Sequence, residues 1–461
     1  MILKSKLLDK YLNLLLIFLF PTQLALHFWP NFAFVFGIRV DYLSPTIYLT
    51  DLLFISLFVP WIIRKRIKAI SDIKKYKYLL LSLSGLIVFN LFFSSVFYVS
   101  FIKWLKIIEF IALGYYVKNR EDRFNIRNVS TTLFYSLIFF SFIGVLQFFR
   151  GRTLGNILYL LGERSFTIFT PGIALVNLFG DNRLRIYSTF SHPNSFAGFL
   201  GASLIFLYFN YLKNINIYRF FGLLVILSAF VLTFSLSAFV GLSFCLFLSP
   251  FANTPGLKPL WVQRSGVRFG GIPLPTKRWE KIPRPLGWGA SYFAFKKHIF
   301  NVKGFNLFII LFFLLSFYFS VFSGSILESR ITFSQSFSER LELADIAGKI
   351  FSGSWITGVG LNNFVINEIS YAGTSSGVWL LQPVHNIYLL LITEIGILGI
   401  LLLYYFISLY FVRNIKTKNI WGILIIFFVL TTGLFDHYWF TIQQNMLLLS
   451  LFLGISSREK I

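Results

Sequence analysis

The feature that most constrains this chain is a run of apolar residues about 17–27 long, the length that spans a bilayer, recurring along the whole sequence. Of 461 residues, 56% are hydrophobic and only 13% charged. Soluble domains carry about 25% charge, so a water-soluble enzyme of this length is excluded. The alternation of a membrane β-barrel is absent. The expectation is an all-α polytopic membrane protein with about twelve spans: Tyr11–Trp29, Pro45–Ile63, Leu79–Val99, Phe101–Val117, Val129–Phe149, Asn194–Leu212, Tyr218–Phe234, Ser235–Pro250, Phe305–Phe322, Asn386–Val412, Ile420–Phe435 and Phe440–Ile455. The weakest division is the seventh from the eighth, where Ser235-Leu236-Ser237 interrupts a nearly continuous apolar run.

A net charge of +24 would suggest nucleic acid in a soluble protein, but a membrane protein collects Lys and Arg in its cytoplasmic loops. With both termini inside, about three quarters of the 42 cations fall on the inner side. Lys4, Lys6 and Lys10 precede the first span with no small-residue cleavage site after it, so it reads as an uncleaved helix. The single cysteine, Cys245, excludes an intrachain disulfide and a cysteine metal cluster.

Three parts follow: spans one to eight over 1–251, a basic insertion over 252–304, and spans nine to twelve over 305–461. The insertion carries six prolines and Glu280 as its only acid, which fits an irregular segment on an anionic membrane surface. Two outer segments, 150–193 and 323–385, are long enough to be functional. The first holds Arg150, Arg152, Arg164, Arg183 and Arg185 and no lysine. Arginine forks bind phosphate bidentately, so these either hold a phosphate or anchor lipid headgroups.

Three constellations could carry chemistry. Arg185 to Gly198 leads into the sixth span, where Ser191 or Asn194 can cap and Pro193 suits a helix start. It reads either as an anion site at a helix N-terminus or as an ordinary capped helix with a structural His192. Glu339, Glu342 and Asp345 fall on one face of an amphipathic outer helix, as metal ligands or, more simply, as a solvated face. His385 stands at the mouth of the tenth span, able to act as base, donor or cap. Glu394, about two and a half turns deeper, is costly in lipid unless paired or facing a cavity.

These segments occur in the order found in the O-antigen ligase and O-antigen polymerase superfamily of bacterial membrane glycosyltransferases, which the chain resembles. The residues are Thr189-Phe190-Ser191-His192-Pro193-Asn194-Ser195-Phe196-Ala197, Arg340 with Gly358-Val359-Gly360-Leu361-Asn362-Asn363-Phe364, and His385-Asn386-Ile387-Tyr388 with Glu394-Ile395-Gly396. Asp436-His437 also fits. The resemblance implies a C-type glycosyltransferase fold. It implies transfer of an undecaprenyl-diphosphate-linked glycan to a sugar hydroxyl on the outer face of the inner membrane, the acceptor being lipid A–core or another glycan. No metal, cofactor or nucleic acid is implied.

By the same resemblance, Arg340 holds the donor diphosphate and His385 contacts or activates the acceptor hydroxyl, with His192, Asn194, Asn386 and Glu394 as further binding residues. Many members carry Ser-Arg where this chain has Ser235-Leu236-Ser237, so Arg185, Arg183 or Arg330 is left to supply the second diphosphate-binding charge. The chemistry is consistent: charge builds on the leaving diphosphate, and no Asp-x-Asp metal pair occurs in an outer segment. The competing readings are a polymerase of the same superfamily, a non-catalytic transporter of lipid-linked sugars and a structural scaffold. A transporter would favour repeated spans with polar groups at the midplane, and no internal repeat is present.

Overall fold

The computed structural model describes residues 2–65, 71–72, 74–178, 180–212, 216–249, 330–371 and 381–458. The expected ninth span, the 252–304 insertion and parts of the 323–385 segment lie outside the described residues. In chain order the helices are α1 (Ile2–Phe18), α2 (Leu49–Arg64), α3 (Lys77–Phe92), α4 (Phe97–Asn119), α5 (Ile126–Arg150), α6 (Pro193–Asn210), α7 (Ile217–Leu232), α8 (Leu236–Leu248), α9 (Arg330–Ser354), α10 (Phe364–Glu368), α11 (Ile387–Lys416), α12 (Ile420–Gly433), α13 (Tyr438–Thr441) and α14 (Gln443–Ser456).

Among the described residues, two helices are long and apolar enough to cross a membrane alone, α5 and α11. Their 25 and 30 residues correspond to about 37 and 45 Å of rise. Helices α3, α7, α8 and α12 are apolar but shorter.

Several expected spans are broken, each for a local reason. The first helix ends at Phe18 rather than Trp29, because Pro21 cannot donate to a helical ladder. The expected Leu79–Val99 stops at Phe92, and Ser94 and Ser95 turn the chain into α4. Ile442, in extended backbone, splits the last span into α13 and α14. The suspected break at Ser235 is real, with Phe234 at φ 51° between α7 and α8.

Three small antiparallel strand pairs accompany the helices, two of them hairpins and the third enclosing one of these. β1 (Ala25–His27) pairs with β4 (Thr46–Tyr48), β2 (Phe34–Val35) with β3 (Ile38–Arg39), and β5 (Leu175–Leu178) with β6 (Asp181–Leu184). The main core lies among α1, α2, α4 to α8 and α12 to α14, with Leu113, Tyr116, Phe199, Phe206, Phe230 and Phe428 almost fully buried. A second core joins α9 to the hairpins through Leu343, Ile346, Ala347 and Ile350, spaced at i, i+3, i+4 and i+7 as an amphipathic helix requires. Helix α14 lies along α4 at a small-residue contact, where a Cβ on Gly454 would stand 2.7 Å from the Gly114 carbonyl.

Helix α11 is two segments. Gly396, at φ 64° and ψ −176°, breaks it. The broken turn receives the Gly358–Phe364 loop: Val359 N donates to Thr393 O at 2.9 Å, Gly360 N to Glu394 O at 3.0 Å, and Ile397 N to Trp355 O at 2.9 Å. Asn90 on α3 closes the junction. Its amide donates to Glu394 O at 2.8 Å and accepts from Leu361 N and Trp104 Nε1 at 3.0 and 2.9 Å. Asn363 binds Val96 N and Ser100 Oγ at 3.0 and 2.7 Å. This interlock sets α9, and hence Arg340, against the start of α11, and hence His385.

Candidate active site

A cavity of about 1180 Å³ opens beside the β-strands and reaches down between α4, α7, α8 and α14. Its lining brings together Arg340 from α9, His385 before α11, Arg185, His192 and Asn194 around the start of α6, and Asp436 and His437 before α13. These positions are far apart in sequence, and helix termini deliver most of them.

Helix α6 is capped by His192, whose Nδ1 accepts from Asn194 N at 3.1 Å, with Pro193 as its first residue. The cap is therefore neither Ser191 nor Asn194, the two expected. An accepting Nδ1 leaves the proton on Nε2, and burial lowers the imidazole to about 3, against the pull of Asp436, so the ring is neutral. Asn194 is free to bridge: its Oδ1 accepts from Arg185 Nη2 at 2.7 Å and its Nδ2 donates to Asp436 Oδ2 at 3.0 Å. Arg185 Nε is fixed on Thr233 O at 2.7 Å. Burial lowers Arg185 to about 10, which leaves it cationic at neutral pH.

Asp436 is the hub. Its Oδ1 accepts from His437 N at 2.8 Å and lies 3.8 Å from His385 Nδ1. Burial would raise this carboxyl, but its contact with His385 and the surrounding imidazoles hold it well below the usual carboxylate range. Asn386 caps α11 by accepting from Tyr388 N and Leu389 N at 2.9 and 3.0 Å, and its amide donates to Leu434 O at 3.1 Å. His385 is thereby held at the rim with the Asp436 carboxylate 3.8 Å away, beyond hydrogen-bond distance but near enough to attract a charged imidazole. His437 packs 5.4 Å from the His385 ring, edge-on to Tyr42 at 5.8 Å, with Nδ1 on Thr441 Oγ1 at 2.7 Å. Burial lowers it to about 4.

Arg340 reaches the same space from the opposite wall, with one long contact to Phe435 O at 3.4 Å. The cavity floor carries Lys103, bonded to Phe440 O at 2.8 Å, and Lys106, ion-paired with Asp51 and with Glu109 at 3.2 Å. Arg164 faces the cavity and lies 3.6 Å from Asp41. His385, Asp436 and His437 each offer a ligand atom within 4.8 Å of the others, so this trio is the candidate metal site among the described residues.

Not every expected residue reaches the cavity. Arg183 stands exposed on β6, 3.2 Å from Asp181. Arg330 opens α9, and its side chain lies outside the described residues. Asn386 acts as a cap. Glu394 is buried in the interlock, where Oε1 accepts from Phe364 N at 3.4 Å, and does not line the cavity. Of the three carboxylates expected on the face of α9, Glu339 lines the cavity, while exposed Asp345 pairs with Lys349 at 2.6 Å.

The central role of Asp436 was visible in sequence only as an acid-histidine pair beside a span. Lys103 and Lys106 were visible as cations inside one. Their cost in lipid was the available signal; the partner each would find was not.

Residues 285–404 match a family model described as O-antigen ligase. The match takes in α9, the Gly358–Phe364 loop, His385 and the break at Gly396, about a quarter of the chain. Over that stretch the chain is similar to O-antigen ligases, in line with the resemblance its motifs carry. Among curated proteins, none matches the chain.

Proposed function

We propose that this protein is a metal-independent glycosyltransferase. It moves a glycan from undecaprenyl diphosphate to a sugar hydroxyl, on lipid A–core or another glycan, at the outer face of the bacterial inner membrane. In this reading the chain has about twelve spans, a C-type arrangement and cytoplasmic termini. The observation that carries the proposal is the single cavity shared by Arg340, Arg185 and an Asp436-backed His385.

The chemistry follows from those groups. The acceptor oxygen attacks the anomeric carbon as the bond from that carbon to the diphosphate oxygen breaks. His385 takes the acceptor proton, and Asp436 stabilises the imidazolium that results. Negative charge grows on the leaving diphosphate, and Arg340 with Arg185 supplies fixed positive charge where it appears. Arg185 fills the second arginine role more readily than Arg183, which stands outside the cavity. Desolvation by the surrounding wall strengthens each interaction over its value in water.

The test is transfer by the purified protein in lipid nanodiscs, with an undecaprenyl-diphosphate-linked glycan as donor and His385→Ala as the control. A folded His385→Ala protein that remains fully active overturns the mechanism. Translocation of the donor with no new glycosidic bond supports the transporter reading instead. Disrupting the gene separates ligase from polymerase: loss of a ligase accumulates long lipid-linked polymer, and loss of a polymerase leaves single repeats.

A further inference from the structure

The chain leaves α5 at Gly151 and makes a short 3₁₀ turn, Asn156–Leu161, before returning to the cavity wall. This loop is held firmly. Thr153 N donates to Phe166 O at 3.2 Å, and buried Glu163 accepts from Leu154 N, Gly155 N and Gln147 Nε2 at 2.7, 2.6 and 2.7 Å. Leu161 O accepts from Thr22 Oγ1 and Gln23 N at 2.6 and 3.1 Å, tying the turn to the chain just beyond α1.

A loop so fixed could cover its apolar side chains, and it does the opposite. Ile157 is 75% exposed, Tyr159 68% and Leu160 61%. Residues three apart eclipse in a 3₁₀ turn, so Ile157 and Leu160 share one face. The helix just before the turn carries a larger apolar face. On α5, Tyr135, Phe139, Phe142, Leu146 and Phe149 are all exposed, at spacings of four and three that draw one stripe along a helix long enough to cross a bilayer. Arg150, the last residue of α5, and Arg152 stand exposed between that helix and the turn. An apolar face, a tyrosine and flanking arginines make up the composition that settles at a membrane interface.

We propose that the Asn156–Leu161 turn is an interfacial anchor, seated through Ile157, Tyr159 and Leu160 in the lipid leaflet on the cavity side, with Arg150 and Arg152 at the headgroup phosphates. Gly162 and Arg164, next along the same loop, line the cavity. The anchor therefore holds the cavity rim at the bilayer surface. The inference does not depend on the reaction proposed above.

The single cysteine makes the test direct. In a Cys245→Ser background, a nitroxide is attached to Ile157→Cys or Leu160→Cys in nanodiscs of phosphatidylethanolamine and phosphatidylglycerol. Collision rates are measured with oxygen, which partitions into lipid, and with a water-soluble nickel chelate. Phe142→Cys serves as the lipid reference and Asp181→Cys as the water reference. The expected result is a shift of both turn sites to the lipid reference. Values at the water reference overturn the anchor. Shielding from both reagents together with spin–spin broadening also overturns it, and assigns the face to a second copy of the chain. Unmodified protein gives an independent reading: a photoactivatable phospholipid should label the tryptic peptide 153–164, and absence of label there beside a labelled α5 overturns the proposal.

Discussion

Two regions of this molecule carry polar side chains into apolar surroundings, and they use them differently. In the interlock, Asn90 and Asn363 each meet several partners, and the carbonyl of Glu394 meets two. In the cavity, Arg340 has one contact at 3.4 Å, and the Nδ1 of His385 and the Oγ of Ser191 have no hydrogen-bond partner among the described residues. A buried polar group left without a partner costs roughly 1–3 kcal/mol, so such groups persist where something else makes use of them. The interlock spends most of its polarity on the fold, with Glu394 Oε2 the atom left over, and the cavity bonds its Arg185–Asn194–Asp436 chain internally while leaving Arg340 and His385 for a ligand.

The contrast can be broken by substitution. The largest expected effect is on transfer in His385→Ala, a loss of about 10²–10⁴ with the melting temperature unchanged. Arg340→Ala should cost about 10²–10³ in rate and little stability, since a half-exposed side chain with one weak contact leaves no buried partner behind. Equal losses of rate and folded yield in either variant would put that residue with the scaffold. Gly396→Ala should do the reverse. It forces a side chain into a backbone region that costs on the order of 1–3 kcal/mol, and its Cβ would stand 2.7 Å from Gly358 N. Thermal unfolding followed by tryptophan fluorescence reads that loss.

Acid should act on the cavity before the interlock. His192 and His437 are neutral when folded, at about 3 and about 4, whereas an unfolded histidine titrates near 6.5. Their stabilisation is complete above pH 6.5 and is lost as pH falls toward 4, at up to about 1.4 kcal/mol per pH unit for each histidine. Asp436, also depressed, adds to the loss below the ordinary carboxylate range. Melting temperature should thus fall from pH 6.5 to 4.5, and His437→Gln should flatten the slope. The smallest effect expected is that of a chelator. Transfer should be unchanged after metal removal, and a loss restored by a divalent ion would turn His385, Asp436 and His437 into a metal centre.

The same division explains what the sequence revealed. Arg340 and His385 stand out in the sequence through the motifs that resemble the ligase superfamily, and His385 also through its place at the mouth of a span. Glu394 stands out through its motif and as a charge inside a span. Only the tertiary arrangement separates a carboxylate that meets a backbone amide from an imidazole that faces a cavity. The kink at Gly396 was hidden because a glycine in an apolar run reads as tolerated helix, and its role lies in a loop some forty residues earlier. In the sequence, Asp436 gives no sign of its central place, since its partners Asn194 and His385 come from two other segments.

The break in α11 has a consequence for how the chain is made. The Asn90 amide bonds to the Glu394 carbonyl across 304 residues. A chain halted before residue 390 would therefore leave that amide without the carbonyl it donates to, and Trp104 without Leu391 and Ile395 from its apolar cluster. Contacts this distant form slowly. The first half of the protein must wait in the bilayer, incompletely closed, until the last third arrives to lock it.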